Sequence, residues 1–247
     1  MVFSNSLLMG AAGNQSSAYT IDQSIWFNDG DASFLARTPG TAGNRRTWTF
    51  SWWHRRRTIT GGNQPVFSAG GDDWLLFLSG NQLGFNTAGN YRIVTSATYT
   101  STIPWYHFIL RIDTTNGTAG NRFRLYQDGA EVTSFGTDTP PNLNRQTAFN
   151  NTTAHNIGKL IGAGQYVDAY IAEINHIDGQ SLGPENFGET IDGSWVPKKY
   201  TGTYGTNGFY ITGATATDLG EDFSGNNNDY ASSGLTSGDQ VSDTPTS

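Results

Sequence analysis

Residues able to do acid–base, nucleophilic or metal chemistry are few in this chain and widely spaced. Retaining glycoside hydrolysis needs two carboxyl groups about 5–5.5 Å apart. Glu173 and Asp178, in the strand-like run Tyr170 to Asp178, are the nearest such pair. Side chains alternate across a strand, so a separation of five positions sends them to opposite faces. Glu173 is therefore expected as a rim or hydrogen-bonded strand residue, and no catalytic residue is assigned. His54, His107, His155 and His176 lack metal-ligand spacing. His107 and His176 fall opposite the apolar phase of their strands, where solvent or a hydrogen bond is expected to meet them. Gly-x-Ser-x-Gly is absent, so no nucleophile elbow is expected.

Binding chemistry has more material. Calcium takes hard oxygen ligands on loops. Asn28, Asp29 and Asp31 of Asn-Asp-Gly-Asp, Asp222, and the doublet Asp72-Asp73 supply them. Turn formation alone also accounts for Asp in such places. Gly70-Gly71-Asp72-Asp73-Trp74 combines an acceptor for sugar hydroxyls, an aromatic face and glycines that allow close approach. Tyr91 and Arg92 are candidates to complete that carbohydrate site. The competing place for Trp74 is the core, because Leu75-Leu76-Phe77 follows it. Arg55-Arg56-Arg57 is the one dense basic run, and we expect it to meet acids of a neighbouring subunit, such as those beyond residue 217.

The elements that must hold these residues read as strands. Thr47 to Trp53 alternates with Trp48, Phe50 and Trp52 on one face, and Tyr106 to Asp113 alternates likewise. Ser24 to Phe27, Phe34 to Arg37, Trp74 to Leu78, Leu83 to Phe85 and Tyr170 to Ile177 are further strands. Asp128-Gly129 between Arg122–Tyr126 and Glu131–Phe135 is a hairpin signal. Gly183 to Gly188, with Pro184 at its first position, reads as a short helical turn. Thr-Ala-Gly-Asn recurs at 41–44, 87–90 and 118–121, and is expected to form turns between strands, since Gly and Asn tolerate positive φ.

Composition agrees. There are 31 Gly and 32 aromatics but only 3 Lys and 5 Glu, a balance that favours pleated surfaces and turns over helices. No Cys is present, which excludes disulfides and thiolate chemistry. With 21 acidic against 14 basic side chains, a nucleic-acid partner is not expected. No apolar run reaches the roughly 20 residues of a membrane span, and the opening ten residues lack the basic start of a secretory signal. The fold class is all-β: two antiparallel sheets packed face to face as a sandwich over residues 19–210. An arm at 1–18 precedes it, and a loop-rich acidic extension at 211–247 partly completes it.

Four stretches carry a family likeness: Ser24 to Leu35 with its Phe-Asn-Asp-Gly-Asp turn; Trp105-Tyr106-His107-Phe108 with Leu125-Tyr126-Gln127-Asp128-Gly129; Tyr170 to Ile174 with Ser181-Leu182; and Asp222-Phe223-Ser224-Gly225-Asn226-Asn227-Asn228. Together they resemble the laminin-G-like branch of the concanavalin A-like lectin/glucanase superfamily, which implies a jelly-roll sandwich. The Ser-Gly-Asn loop commonly precedes the opening strand in that family and here comes last, which leaves the partners of residues 205–230 open. Glucanases of the superfamily mount their carboxylates as Glu-x-Asp-x-x-Glu or Glu-x-Asp-x-Glu, and neither pattern occurs here.

Tyr19 to Ser24, Arg37-Thr38-Pro39 with Ala42-Gly43-Asn44-Arg45, and Trp195 to Tyr200 with Gly205 to Tyr210 are similar to virion proteins of tailed bacteriophages. That likeness implies a non-enzymatic structural protein at the particle surface, as capsid decoration or a tail or fibre part, with outer loops that bind glycans. A host-glycan receptor-binding adhesin is the alternative, and a polysaccharide depolymerase is third. Expected partners are other virion proteins, further copies in a homo-oligomer and a host surface glycan. Ca²⁺ is the one cofactor considered. The polar arm and the base-free stretch after Tyr200 have little to bury alone, so neighbouring subunits are expected to hold them.

Overall fold

The computed structural model describes residues 19–87 and 90–247; the arm lies outside the described residues. In chain order the strands are β1 (Ser24–Phe27), β2 (Phe34–Arg37), β3 (Thr47–Arg56), β4 (Gln64–Ala69), β5 (Asp73–Phe77) and β6 (Leu83–Thr87). Next come β7 (Asn90–Thr95), β8 (Tyr106–Asp113), β9 (Phe123–Gln127), β10 (Ala130–Glu131), β11 (Phe135–Asp138) and β12 (His155–Ile157). The last six are β13 (Ala169–Asp178), β14 (Gly188–Ile191), β15 (Ser194–Pro197), β16 (Phe209–Ile211), β17 (Ala231–Ser233) and β18 (Gln240–Val241). One sheet runs β10-β9-β8-β3-β13-β1-β18, with β16 also on β13; the other runs β11-β7-β6-β5-β4-β12-β2-β17. Every pairing is antiparallel. No helix among the described residues is long and apolar enough to cross a membrane.

The alternation explains the core. Trp48, Phe50 and Trp52 of β3 and Phe108, Leu110 and Ile112 of β8 join Phe67, Leu75, Phe77 and Phe85 of the other sheet in one buried cluster. Phe50 stacks on Phe67 across the layers, with ring centroids 4.6 Å apart. Such pairs add about 0.5–1.5 kcal/mol beyond area burial. The β9–β10 turn has the positive φ of a type I′ hairpin, 48° at Asp128 and 80° at Gly129. Its second strand is shorter than expected: pairing ends at Glu131, and the chain crosses to the other sheet as β11. Pro184–Asn186 forms the short helical turn, a 3-10 turn.

The Thr-Ala-Gly-Asn segments at 41–44 and 118–121 connect strands as expected, the second through the 3-10 turn Ala119–Asn121, and neither uses positive φ. Gly43 is needed for a different reason, since a Cβ there would meet Asp178 Oδ2 at 1.9 Å. The stretch after Tyr200 is paired within its own chain. It supplies β16 to β13, β17 to β2 and β18 to β1, so it edges both sheets. The Ser-Gly-Asn loop is its fastener: Asn226 and Asn228 donate to the carbonyls of Gly205, Thr206 and Gly208 at 2.7–3.0 Å.

Residues 182–210 also fold over the outer face of the β3–β8–β13 sheet. Phe187, Tyr200, Tyr204 and Tyr210 cover Ile109 and Ile177 there, and Ile21 covers Trp53 and Ala172. One part of that outer face, where β1, β13 and the end of β3 run side by side, is only half covered.

Candidate functional site

That half-covered part is built by register. Tyr170 lies directly opposite Arg55 on one side and Trp26 on the other. Residues opposed across strands share a face, so the three form a row. Their flanks prove which way it points: Ile25, Phe27, Ala169 and Ile171 are core, hence Trp26 and Tyr170 face outward. Their rings sit 6.3 Å apart. Trp105, just before β8, adds a third ring 6.5 Å from Tyr170. The Arg57 guanidinium lies 4.4 Å from the Trp26 ring centroid and 5.3 Å from that of Tyr170, and donates to the Tyr170 hydroxyl at 2.9 Å.

Two carboxylates fix the strip. Asp168 accepts from the Trp26 indole at 3.4 Å and lies 4.0 Å from Arg57 Nε. Asp243 accepts from Arg55 at 2.5 Å and from the Trp105 indole at 3.1 Å. Two cations and two anions leave no net charge. The result is aromatic surface for C–H contact beside held donors and acceptors, which is the chemistry of a neutral saccharide site.

A second feature lies where Tyr19–Gln23 crosses β13. Here β13 carries a bulge between Ala172 and Asn175, and Glu173 takes φ 51°. That conformation costs a residue with a side chain on the order of 1–3 kcal/mol. The buried Glu173 carboxyl receives the Tyr210 hydroxyl at 2.8 and 2.7 Å and the Tyr19 hydroxyl at 3.1 Å. The two hydroxyls are 2.8 Å apart. Burial pushes the Glu173 pKa up to about 7, against the lowering by its tyrosine hydrogen bonds and Lys199. It faces a cleft of about 230 Å³.

Asp178 belongs to a different network, accepting from the Asn44 and Asn207 backbone N–H groups at 2.7 and 2.9 Å. The two carboxylates are thus separate, and the bulge, invisible to simple alternation, is what turns Glu173 to the cleft. The bulge also puts His176 among core aromatics, with its Nε2 2.7 Å from Asn150 Oδ1. His107 stacks between Trp53 and Trp195. Trp195 Nε1 donates to its Nδ1 at 2.9 Å, which leaves Nε2 to donate to Ser51 at 2.8 Å. His54 is buried against Phe77. None of these three faces solvent.

The proposed sugar residues are brought together only in part: the register sets Trp74 and Tyr91 on either side of Asn86, and Asp73 is turned away. Asp73 and Trp74 are consecutive in β5, so they point to opposite faces. Asp73 is buried and its carboxylate accepts from Ala148 N at 2.5 Å. Trp74 is half-buried on the face opposite Leu75 and Phe77, outside the core clusters. Asp72 is exposed, Arg92 is half-buried, and Tyr91 stands opposite Asn86 in the β6–β7 register, its side chain outside those described.

Calcium fits the candidate ligands poorly. Both oxygens of Asp222 are occupied, by Tyr210 N, Ser224 N, Ser224 Oγ and Asn228 N, each at 2.8 Å. Asn28 caps the 3-10 turn Asp29–Asp31, and its amide holds Asp31 at 2.6 Å. Among the described residues no three His, Asp or Glu side chains form a metal-holding group.

The arginine triplet splits. Arg55 does meet an acid beyond residue 217, but in its own chain, Asp243. Arg56 points inward and is buried, donating to Asn81, Tyr99 O and Gln64 at 2.7, 2.7 and 3.3 Å, so it cannot be a subunit contact. The sequence signal for the strip was present: Trp26 and Tyr170 are aromatics out of phase with the core residues on either side.

Comparison with known proteins agrees with the fold. A profile of the concanavalin A-like lectin/glucanases superfamily, laminin-G-like, matches residues 28–182. A solved structure from Bacteroides ovatus, described as a "putative carbohydrate binding protein", superposes with TM-score 0.63 at 13% identity, over 93% of this chain and 62% of that one. The present chain thus spans less than two thirds of that neighbour. The heptameric SAP-like pentraxin of Limulus polyphemus is similar at TM-score 0.47 and 15% identity, over 67% of this chain and 80% of that one. No curated protein sequence matches the chain. The family match covers more than half of the sequence, and the chain belongs to the concanavalin A-like lectin/glucanases superfamily.

Proposed function

We propose that this protein is a non-enzymatic carbohydrate-recognition domain, and that the outward strip Trp26–Tyr170–Trp105 with Arg55 and Arg57 is where a neutral glycan binds. The observation that carries this reading is the register-built row of rings, clamped by Asp168 and Asp243 on a lectin-family fold. The separate networks of Glu173 and Asp178 support binding over hydrolysis. A glycan array probed with the wild type and with Trp26→Ala tests it: glycans retained by the first and lost by the second are expected. An array silent for the wild type removes the reading.

The setting we propose is the surface of a tailed-phage particle, with a homo-oligomer and other virion proteins as partners; its support is the sequence likeness of Tyr19–Ser24 and Trp195–Tyr210. Imaging of the particle distinguishes the roles. Many copies across the shell mean decoration, few at the tail tip mean a host-glycan adhesin, and none means neither. Release of reducing sugar from host polysaccharide would replace both with a depolymerase.

A further inference from the structure

The Glu173 cleft has an architecture the strip does not explain. Its floor is the Tyr19–Tyr210–Glu173 triad, its walls include Asp22 and Lys199, and Phe223 stands at its mouth. Phe223 is 44% exposed, one of three large hydrophobic side chains left so open among the described residues. We propose that this cleft is a second binding site, separate from the strip, for a neutral hydroxyl-bearing ligand about the size of one sugar ring.

Three observations set the ligand's chemistry. The triad's protons are directed inward, Tyr210 to Glu173 and Tyr19 to Glu173 or Tyr210. Toward the cleft the triad offers lone pairs, which suit a donating group, and the Lys199 ammonium in the wall suits an accepting one; a hydroxyl is both. The walls carry both signs, Lys199 and Asp22, so a cationic donor meets the ammonium and an anionic ligand meets the carboxylates; a neutral donor meets no like charge. The volume of about 230 Å³ lies below the roughly 300–1,000 Å³ of drug-sized pockets, which restricts the ligand to a small one, with Phe223 as its apolar cover.

A purely structural role for Glu173, tying Tyr19 to the sheet, leaves two things unexplained. A strained, left-handed backbone is placed at a residue with a long side chain, where Gly or Asn adopts it without strain. The carboxyl is also buried, and among the described residues it forms no salt bridge. Strain and a desolvated acid at the base of one cleft are the combination found at ligand sites.

The test is a titration of the folded chain with methyl glycosides of glucose, galactose and mannose, followed by NMR shifts of residues 19–23, 173, 199 and 223. At least one probe is expected to shift these signals saturably. Glucosamine and glucuronate, the cationic and anionic arms, are expected to bind about tenfold more weakly or worse. Phe223→Ala, which removes an exposed ring, is expected to weaken binding about tenfold with an unchanged unfolding midpoint. Trp26→Ala should leave the cleft shifts intact. No saturable shift with any neutral probe, or shifts lost in Trp26→Ala but kept in Phe223→Ala, would overturn the proposal while leaving the strip to its own test.

Discussion

Strand β3 carries arginine on both of its faces, and the two faces treat it oppositely. On the inner face Arg56 follows Trp48, Phe50, Trp52 and His54 in phase, and its guanidinium lies 5.0 Å from the Phe77 ring centroid, with burial lowering its pKa to about 10. On the outer face Arg55 and Arg57 remain partly open, each beside a carboxylate and an aromatic ring. One face uses a cation to complete packing, the other to frame a surface. The same contrast holds for the side chains of β1 and β13: those in phase with the core stabilise, and Trp26 and Tyr170, out of phase, are left on the half-covered outer face.

The largest expected effect strikes the four buried histidines as a group. Desolvation lowers the pKa of His54 and His107 to about 3 and that of His155 to about 4, and puts His176 well below its ordinary value. A group depressed in the folded state stabilises fully above its unfolded pKa of 6.5, and that contribution is lost as pH falls toward the folded value. By pH 4.5, His54 and His107 each remove roughly 3 kcal/mol. Urea midpoints should therefore drop steeply between pH 6.5 and 4.5; a flat profile would contradict burial of the neutral imidazoles.

Next is Arg56 against Arg55. Arg56→Ala strands three acceptors and is expected to cost about 3–5 kcal/mol, whereas Arg55→Ala, at a partly exposed pair, should stay within about 1 kcal/mol. Equal losses in denaturant melts would erase the distinction between the faces.

Glu173→Gln sharpens the outer face. The folded pKa of Glu173 is raised from 4.5 to about 7, so its contribution is full below 4.5 and is lost as pH rises through 7. The neutral amide does not titrate. Between pH 4.5 and 8 the stability difference should move toward the variant by on the order of 3 kcal/mol at most. No pH dependence in that difference would mean that the carboxyl is not desolvated.

Much of the sandwich was legible because period-two alternation is a local signal: Ser24–Phe27, Phe34–Arg37 and Tyr106–Asp113 are strands at the expected residues. The sites were not, because they depend on register and irregularity. Trp26, Tyr170 and Arg55 are far apart in sequence and meet only through β1–β13–β3 pairing. The bulge that gives Glu173 its cleft has no Gly or Asn at the left-handed position to announce it. Asp72-Asp73-Trp74 shows the converse: adjacency in sequence suggested one site, and adjacency in a strand turns Asp73 away from Trp74.

The central claim is that the outward strip binds glycan. Calorimetry of an array-positive neutral oligosaccharide against wild type and Trp26→Ala/Tyr170→Ala measures it most directly. Each ring is expected to contribute about 1–2 kcal/mol, so the double variant should bind roughly a hundredfold more weakly while keeping its unfolding midpoint above pH 7. Unaltered affinity in a folded double variant would contradict it.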